Sequence, residues 1–381
     1  MKLNKNQQAF FDLLKAGLWT KTDQELKVHE FKDVDWEKVC QLAKEQSVQG
    51  LVLKGLECFV GHGVINNADI PLELLMQWIG DVQMIEQQNR SMNEFVAKLI
   101  ETLREKEVNA LLVKGQGIAQ CYECPLWRNY GDVDLLLSAE NYEKACAVLD
   151  KNSGKAERVS ARNAERKHKE YHIDGWIVEL HGTLHTNLSW RIDKEIDKVQ
   201  RDVFCDGITR PWKIGETQVL LPRADEDVVF VFAHILQHLF GEGIGLRQIC
   251  DWCRLLWTYY SKLNLRFLEL RLRRMGLMTE WKAFASLAVE YLGMPIEAMP
   301  FYDSRFMVKG SKILKFVLKC GNFGHNRRGE WDDPFKRRMM LIRHRITDTI
   351  RLSFVFPVDA PKFLLNYAWD RFRWLVNRKN V

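Results

Sequence analysis

Asp132 and Asp134 stand two residues apart, directly after Gly131 and just before the apolar run Leu135, Leu136 and Leu137. In a β-strand, side chains at i and i+2 leave the same face, so the two carboxylates converge on one spot. Oxygen donors in that arrangement suit a hard cation such as Mg²⁺, which keeps positions open for substrate phosphates. One carboxylate can also bridge two cations roughly 3.5–4 Å apart. Asp-x-Asp alone is common on exposed strand ends. Here the three leucines that follow make it the mouth of a buried strand, where a charged pair needs a counter-ion. A third acid, Glu179, alternates with Val178 and Leu180 in WIVELH and so shares a face with Ile177 and His181. Periodicity alone fits a solvated edge strand equally well.

Other residue pairs invite chemistry and carry less. His234 and His238 are four apart on one helix face, and His181 and His185 repeat the spacing. Zinc could use such pairs, but neither first histidine has the adjacent glutamate of a metalloprotease motif, and structural roles are the simpler reading. His181 and His234 could still line a cleft. Cys121-x-x-Cys124 and Cys250-x-x-Cys253 are more than a hundred residues apart and read as small buried hydrophobes rather than zinc knuckles.

The elements that must position these residues are legible from periodicity. Up to about residue 107, AFFDLLKAGLW, WEKVCQLAKEQ and the long stretch from Glu73 to Lys106 repeat apolar residues at three- and four-residue spacing, the helical signature. Asp35 should cap the second of these helices. VNALLVKG then reads as a short buried strand ending at Gly115, and residues 115–123 as a short helix stopped by Pro125. DVDLLLS is a second strand, and Ser138 caps a helix over SAENYEKACAVLDK. YHI and WIVELH flank Asp174-Gly175, a strong hairpin signal. Helical periodicity returns after about Leu184, with a small hairpin in 206–222. The expected fold is α+β: a small mixed sheet core over 96–183, between helical regions at 1–95 and 184–381.

Composition bounds the rest. The 381 residues are 46% apolar and 28% charged, with nine prolines and no low-complexity tract, as in a globular chain. No run of about 18 apolar residues predicts a transmembrane helix. The N-terminus lacks the apolar core and cleavage site of a secretory signal, and nine scattered cysteines suit reduced thiols, so the expectation is a cytoplasmic protein. The net charge of +6 is modest, but basic residues cluster at Arg327, Arg328, Lys336, Arg337, Arg338, Arg343, His344 and Arg345, and again at Arg371, Arg373, Arg378 and Lys379. Solvated helix faces explain these more simply than a nucleic-acid partner. The thirteen tryptophans, mostly at helical spacing, read as core, and so does the aromatic C-terminal stretch with its basic face. That stretch could alternatively lie on a membrane surface or a partner.

The run LLVKGQGIAQCYECPLWRNYGDVDLLL, with VELH downstream, resembles the signature of the uncharacterised nucleotidyltransferase family of the polymerase-beta-like superfamily. That resemblance implies a small mixed-sheet nucleotidyltransferase core, Mg²⁺ or Mn²⁺ on Asp132, Asp134 and Glu179, and an NTP whose monophosphate passes to an acceptor hydroxyl. It makes Glu179 the acid that activates the hydroxyl, and Lys114, Gly115, Arg128 and Gly131 the nucleotide-binding residues. Lys114-Gly115 stands where the superfamily carries Gly-Ser, so an ammonium replaces the serine hydroxyl that would hold phosphate. Arg128 could fork onto a phosphate or pair with a carboxylate. The alternative is a catalytically inactive module of the same fold that binds a nucleotide or sugar-phosphate.

Overall fold

In the computed structural model, residues 2–19, 31–66, 69–152, 167–241, 243–327 and 334–377 are described. Helices α1 (Lys5–Leu18), α2 (Trp36–Glu45), α3 (Gln49–Gly61) and the long α4 (Leu72–Arg104) come first. Asn4 closes a capping box with Gln7, and the expected cap at Asp35 is present, its side chain accepting from the Lys38 amide. α3 packs closely on α1 because glycines face backbone. A Cβ at Gly55 would sit 1.8 Å from the Leu13 carbonyl oxygen, and one at Gly17 would sit 1.9 Å from that of Leu51.

A four-stranded mixed sheet follows, built from β1 (Ala110–Val113), β2 (Val133–Leu137), β3 (His168–Ile173) and β4 (Trp176–His181) in the order β1-β2-β4-β3. Only β2 and β4 are parallel, with Asp134 beside Glu179 and Leu136 beside His181. Asp174 and Gly175 both take positive φ, as the expected tight hairpin turn requires. The short helix α5 (Gly115–Ala119) ends earlier than the 115–123 span expected from sequence. Pro125 opens a 3₁₀ turn (Pro125–Trp127) rather than merely stopping a helix, because its missing N–H costs nothing at a first helical position. In α6 (Ala139–Asn152) the Asn141 amide donates to the Ser138 hydroxyl, the expected cap.

The sheet separates two apolar clusters. Leu112, Val133, Leu135, Leu137, Val178 and Leu180 face a smaller core made with the C-terminal half of α4 and with α6. Leu111, Val113 and Leu136 face the larger helical core. The helices of that larger core include α7 (Trp190–Asp206), α8 (Ala224–Gly241), α9 (Leu246–Tyr259), α10 (Leu265–Met275), α11 (Met278–Leu292) and α12 (Met307–Cys320). The hairpin foreseen in 206–222 is β5 (Arg210–Ile214) with β6 (Thr217–Leu221), and its Val219 and Leu221 join the smaller core. A helical hairpin, α13 (Pro334–Ser353) and α14 (Asp359–Asn377), is the last of the described elements.

Trp19, Trp36, Trp78, Trp252 and Trp281 are core residues, as expected, while Trp190 and Trp369 are exposed. Cys250 and Cys253 are buried free thiols within α9. Arg328, Arg378 and Lys379 lie outside the described residues, as do the side chains of Arg327, Lys336, Arg337, Arg338, Arg371 and Arg373. Among the described residues, no helix is long and apolar enough to cross a membrane.

Candidate functional site

The site forms where β1 ends and β2 begins. Lys114 closes β1 with φ +58°, a conformation costly for a non-glycine residue, and Gly115 follows at φ +41°. A Cβ at Gly115 would sit 3.4 Å from the Asp132 carbonyl oxygen, so the turn brings the β1 exit against the β2 entrance. This strained turn sets Lys114 Nζ 3.0 Å from Asp134 Oδ1.

One oxygen each of Asp132, Asp134 and Glu179 lies within 4.8 Å of the others. Glu179 therefore faces the aspartate pair and does not sit on a solvated edge. Asp134 is buried, Glu179 is half-buried and Asp132 is exposed, leaving the trio open on one side. The histidines knit it together. His181 Nε2 lies 2.7 Å from Asp134 Oδ1 and 3.3 Å from Glu179 Oε2. His168, paired across the hairpin with His181, reaches Glu179 Oε2 at 3.1 Å. His168, Glu179 and His181 make a second compact trio that shares Glu179 with the first.

Charge crowding sets the protonation states. Asp134 pushes the Asp132 carboxyl up to about 6, helped by Glu179 and by the reduced solvation of a carboxyl that is surface-accessible but sits at the mouth of the cavity. Burial opposes ionisation of Asp134, but Lys114 and His181 outweigh it and hold its carboxyl below the usual carboxylate range. For Glu179 too, burial is outweighed, here by hydrogen bonds from His168 and His181, and its carboxyl is lowered. Burial favours a neutral amine at Lys114, yet Asp134, Glu179 and Asp132 keep it an ammonium. His181 is raised because its bonds to Asp134 and Glu179 overcome burial.

These groups line a cavity of about 330 Å³, between the sheet and helices α8 and α9. On its far wall His234 and His238 meet with their Nε2 atoms 3.1 Å apart. Burial, reinforced by Lys114, lowers both imidazoles, His238 to about 4, so the pair stays neutral. His185 also lines the cavity and bonds to Asp197 at 2.6 Å.

Arg128 reaches the cavity wall, but its fork is taken. Nε and Nη2 donate to the two oxygens of Asp251 at 2.8 and 2.7 Å, and Nη1 donates to its neighbour's carbonyl, that of Asn129. The Tyr122 hydroxyl donates to the same Asp251. Of the two partners foreseen for Arg128, a carboxylate holds it in the structure, and that carboxylate comes from α9. One turn away, Arg247 donates to the carbonyls of Asn129 and Tyr130, pinning the loop that presents Gly131 and Asp132.

Sequence reasoning missed His168, Asp251 and Arg247. The first was accessible: a two-residue turn at Asp174-Gly175 fixes the register, placing residue 168 opposite 181. Arg247 and Asp251 were marked more faintly, as an i,i+4 charged pair on an apolar helix.

The donor set fits a hard divalent cation: three carboxylates, one of them open to the cavity, beside cations that can meet phosphate. The site sits at the ends of the two central strands, β2 and β4, of the small mixed sheet. The chain belongs to the uncharacterised nucleotidyltransferase family, whose model matches residues 32–293. No curated protein and no solved structure matches it.

Proposed function

We propose that the chain transfers a nucleoside monophosphate from an NTP to an acceptor hydroxyl. The convergence of Asp132, Asp134 and Glu179 carries this reading. These residues would hold Mg²⁺ or Mn²⁺, which when bound polarises phosphoryl oxygens and eases ionisation of a nearby hydroxyl. The acceptor oxygen bonds to the α-phosphorus, the bond to the bridging oxygen breaks, and pyrophosphate leaves with the electron pair. Glu179, ionised and oriented by two histidines, receives the hydroxyl proton. Lys114 meets the phosphates as a point charge, with Gly115 and Gly131 allowing backbone approach. Arg128 supports the site by clasping Asp251 under the cavity, and His181 and His234 line the acceptor side.

One observation favours a second reading, a binding module for a nucleotide or sugar-phosphate. Lys114 Nζ and His181 Nε2 share a single oxygen of Asp134, so internal cations already balance that acid. Calorimetric titration with a non-hydrolysable NTP, with and without Mn²⁺, separates the two. Transfer chemistry requires metal-dependent binding that Asp134→Ala abolishes. Equal binding in the presence of chelator would refute it in favour of the module.

A further inference from the structure

The helical hairpin α13–α14 lies beyond the stretch matched by the family model and plays no part in the site. Its inner face is anchored. Leu352, Val355, Phe356, Ala360 and Phe363 are buried, and Phe240 of α8 contacts the Phe356 and Phe363 rings at 6.0 and 4.8 Å. Asn366 donates to the Leu188 carbonyl at 2.7 Å. The two helices hold each other, with the Arg345 guanidinium 3.6 Å from the Tyr367 ring centroid.

The outer face is apolar and largely exposed among the described residues. Ile342, Ile346 and Ile350 recur every four residues on α13 and are 47%, 46% and 55% exposed. The connection adds Phe354 and Val358, and α14 adds Trp369, all more than half exposed. Exposed Arg343 lies among the α13 isoleucines, and exposed Lys362 falls in helical register with Trp369. Residues 334–377 contain nine Lys and Arg against three Asp, a net +6 that equals the charge of the whole chain.

We propose that this face docks the protein on an anionic membrane surface. A helix with an apolar stripe flanked by cations lies in the headgroup plane, its apolar side chains at the acyl boundary and its cations among lipid phosphates. Tryptophan favours the same depth. The competing occupants fit less well. A nucleic-acid backbone would satisfy the cations but leave the isoleucines, Phe354 and Val358 in water. A second copy would cover the apolar side chains but leave the exposed cations Arg343 and Lys362 without an anionic counterpart.

Co-sedimentation of the full chain with vesicles tests this. One set is phosphatidylcholine alone, and the other contains about 30% phosphatidylserine, which gives a negative surface potential. Binding to the anionic set should be about tenfold tighter or better, and should weaken as salt screens the charges. Ile346→Asp/Ile350→Asp should reduce binding by about tenfold or more. Arg343→Glu/Lys362→Glu should erase the preference for phosphatidylserine at about tenfold per reversed charge or less. All four positions are exposed, so unfolding midpoints should match the parent. If the isoleucine pair lowers the midpoint, Phe354→Asp/Val358→Asp in the connection replaces it. Failure to bind either vesicle, or binding indifferent to both apolar pairs, overturns the proposal. So does a dimer that the apolar substitutions dissociate, or single-stranded RNA binding that they leave intact while vesicles are ignored.

Discussion

Removing the Arg128 guanidinium should be among the most destabilising single changes in the chain. Arg128 and Asp251 are each 6% exposed and joined by two short bonds, across the junction between the loop before β2 and helix α9. Arg128→Met removes both charged hydrogen bonds from the buried Asp251 carboxylate, leaving it the Tyr122 hydroxyl and the charge of Arg247 one turn away. Breaking one side of such a buried pair costs about 3–5 kcal/mol. Removing both charges, in Arg128→Met/Asp251→Leu, leaves an apolar contact and an unbonded Tyr122 hydroxyl, at about 1–3 kcal/mol. The double variant should therefore be more stable than the single one. Guanidinium unfolding followed by tryptophan fluorescence, with equal denaturant slopes, measures both. A loss below about 1 kcal/mol for Arg128→Met, or simple addition of the two single losses, would refute the buried-pair account. The same variants assign Arg128 a role. If the double variant binds NTP normally, the arginine is a structural clasp. If binding falls with the fold intact, its fork also serves phosphate.

Three further outcomes follow from the same geometry. Lys114→Met should weaken NTP binding by about tenfold or more, the worth of a charge-assisted bond to phosphate, and unchanged affinity by calorimetry would contradict that role. Because Asp132 is pushed up to about 6 by its neighbour, Mn²⁺ affinity should rise with pH as this carboxyl deprotonates and level off above about 6. Paramagnetic titration showing a flat profile between about pH 5 and 7 would contradict that proton linkage. Glu280 is fully buried, and burial together with Asp359 raises its carboxyl to about 8. A raised carboxyl binds its proton more tightly when folded, so stability should fall as pH climbs from near 4.5 towards 8 and be flatter in Glu280→Gln, as read by unfolding midpoints.

Much of the site was written in local sequence. Two-residue alternation placed Asp132 with Asp134, and Glu179 with His181, each pair on one face of its own segment, because strand geometry leaves no freedom in that choice. The Asp174-Gly175 turn fixed the hairpin register, and both strands formed as expected. What sequence left open were the long-range partners. The parallel pairing that sets Glu179 beside Asp134 depends on a crossover through α6 and not on either strand alone. Asp251 lies 123 residues beyond Arg128 in sequence and meets it only through the packing of α9, which local patterns do not show. The aromatic C-terminal stretch, expected as core, is core only in part: Val355, Phe356 and Phe363 are buried, whereas Phe354, Val358 and Trp369 are exposed. Periodicity marks an apolar face but not what covers it.

Asp132, Asp134 and Glu179 carry the proposed chemistry together. The most direct test incubates the protein with α-labelled NTPs, Mg²⁺ or Mn²⁺, and cell extract as the source of acceptor. The expected result is metal-dependent transfer of label to an acceptor, with release of pyrophosphate, and its loss in Asp132→Ala, Asp134→Ala and Glu179→Ala variants that retain the parent's unfolding midpoint. No transfer with any nucleotide, or transfer that survives all three substitutions, would contradict it.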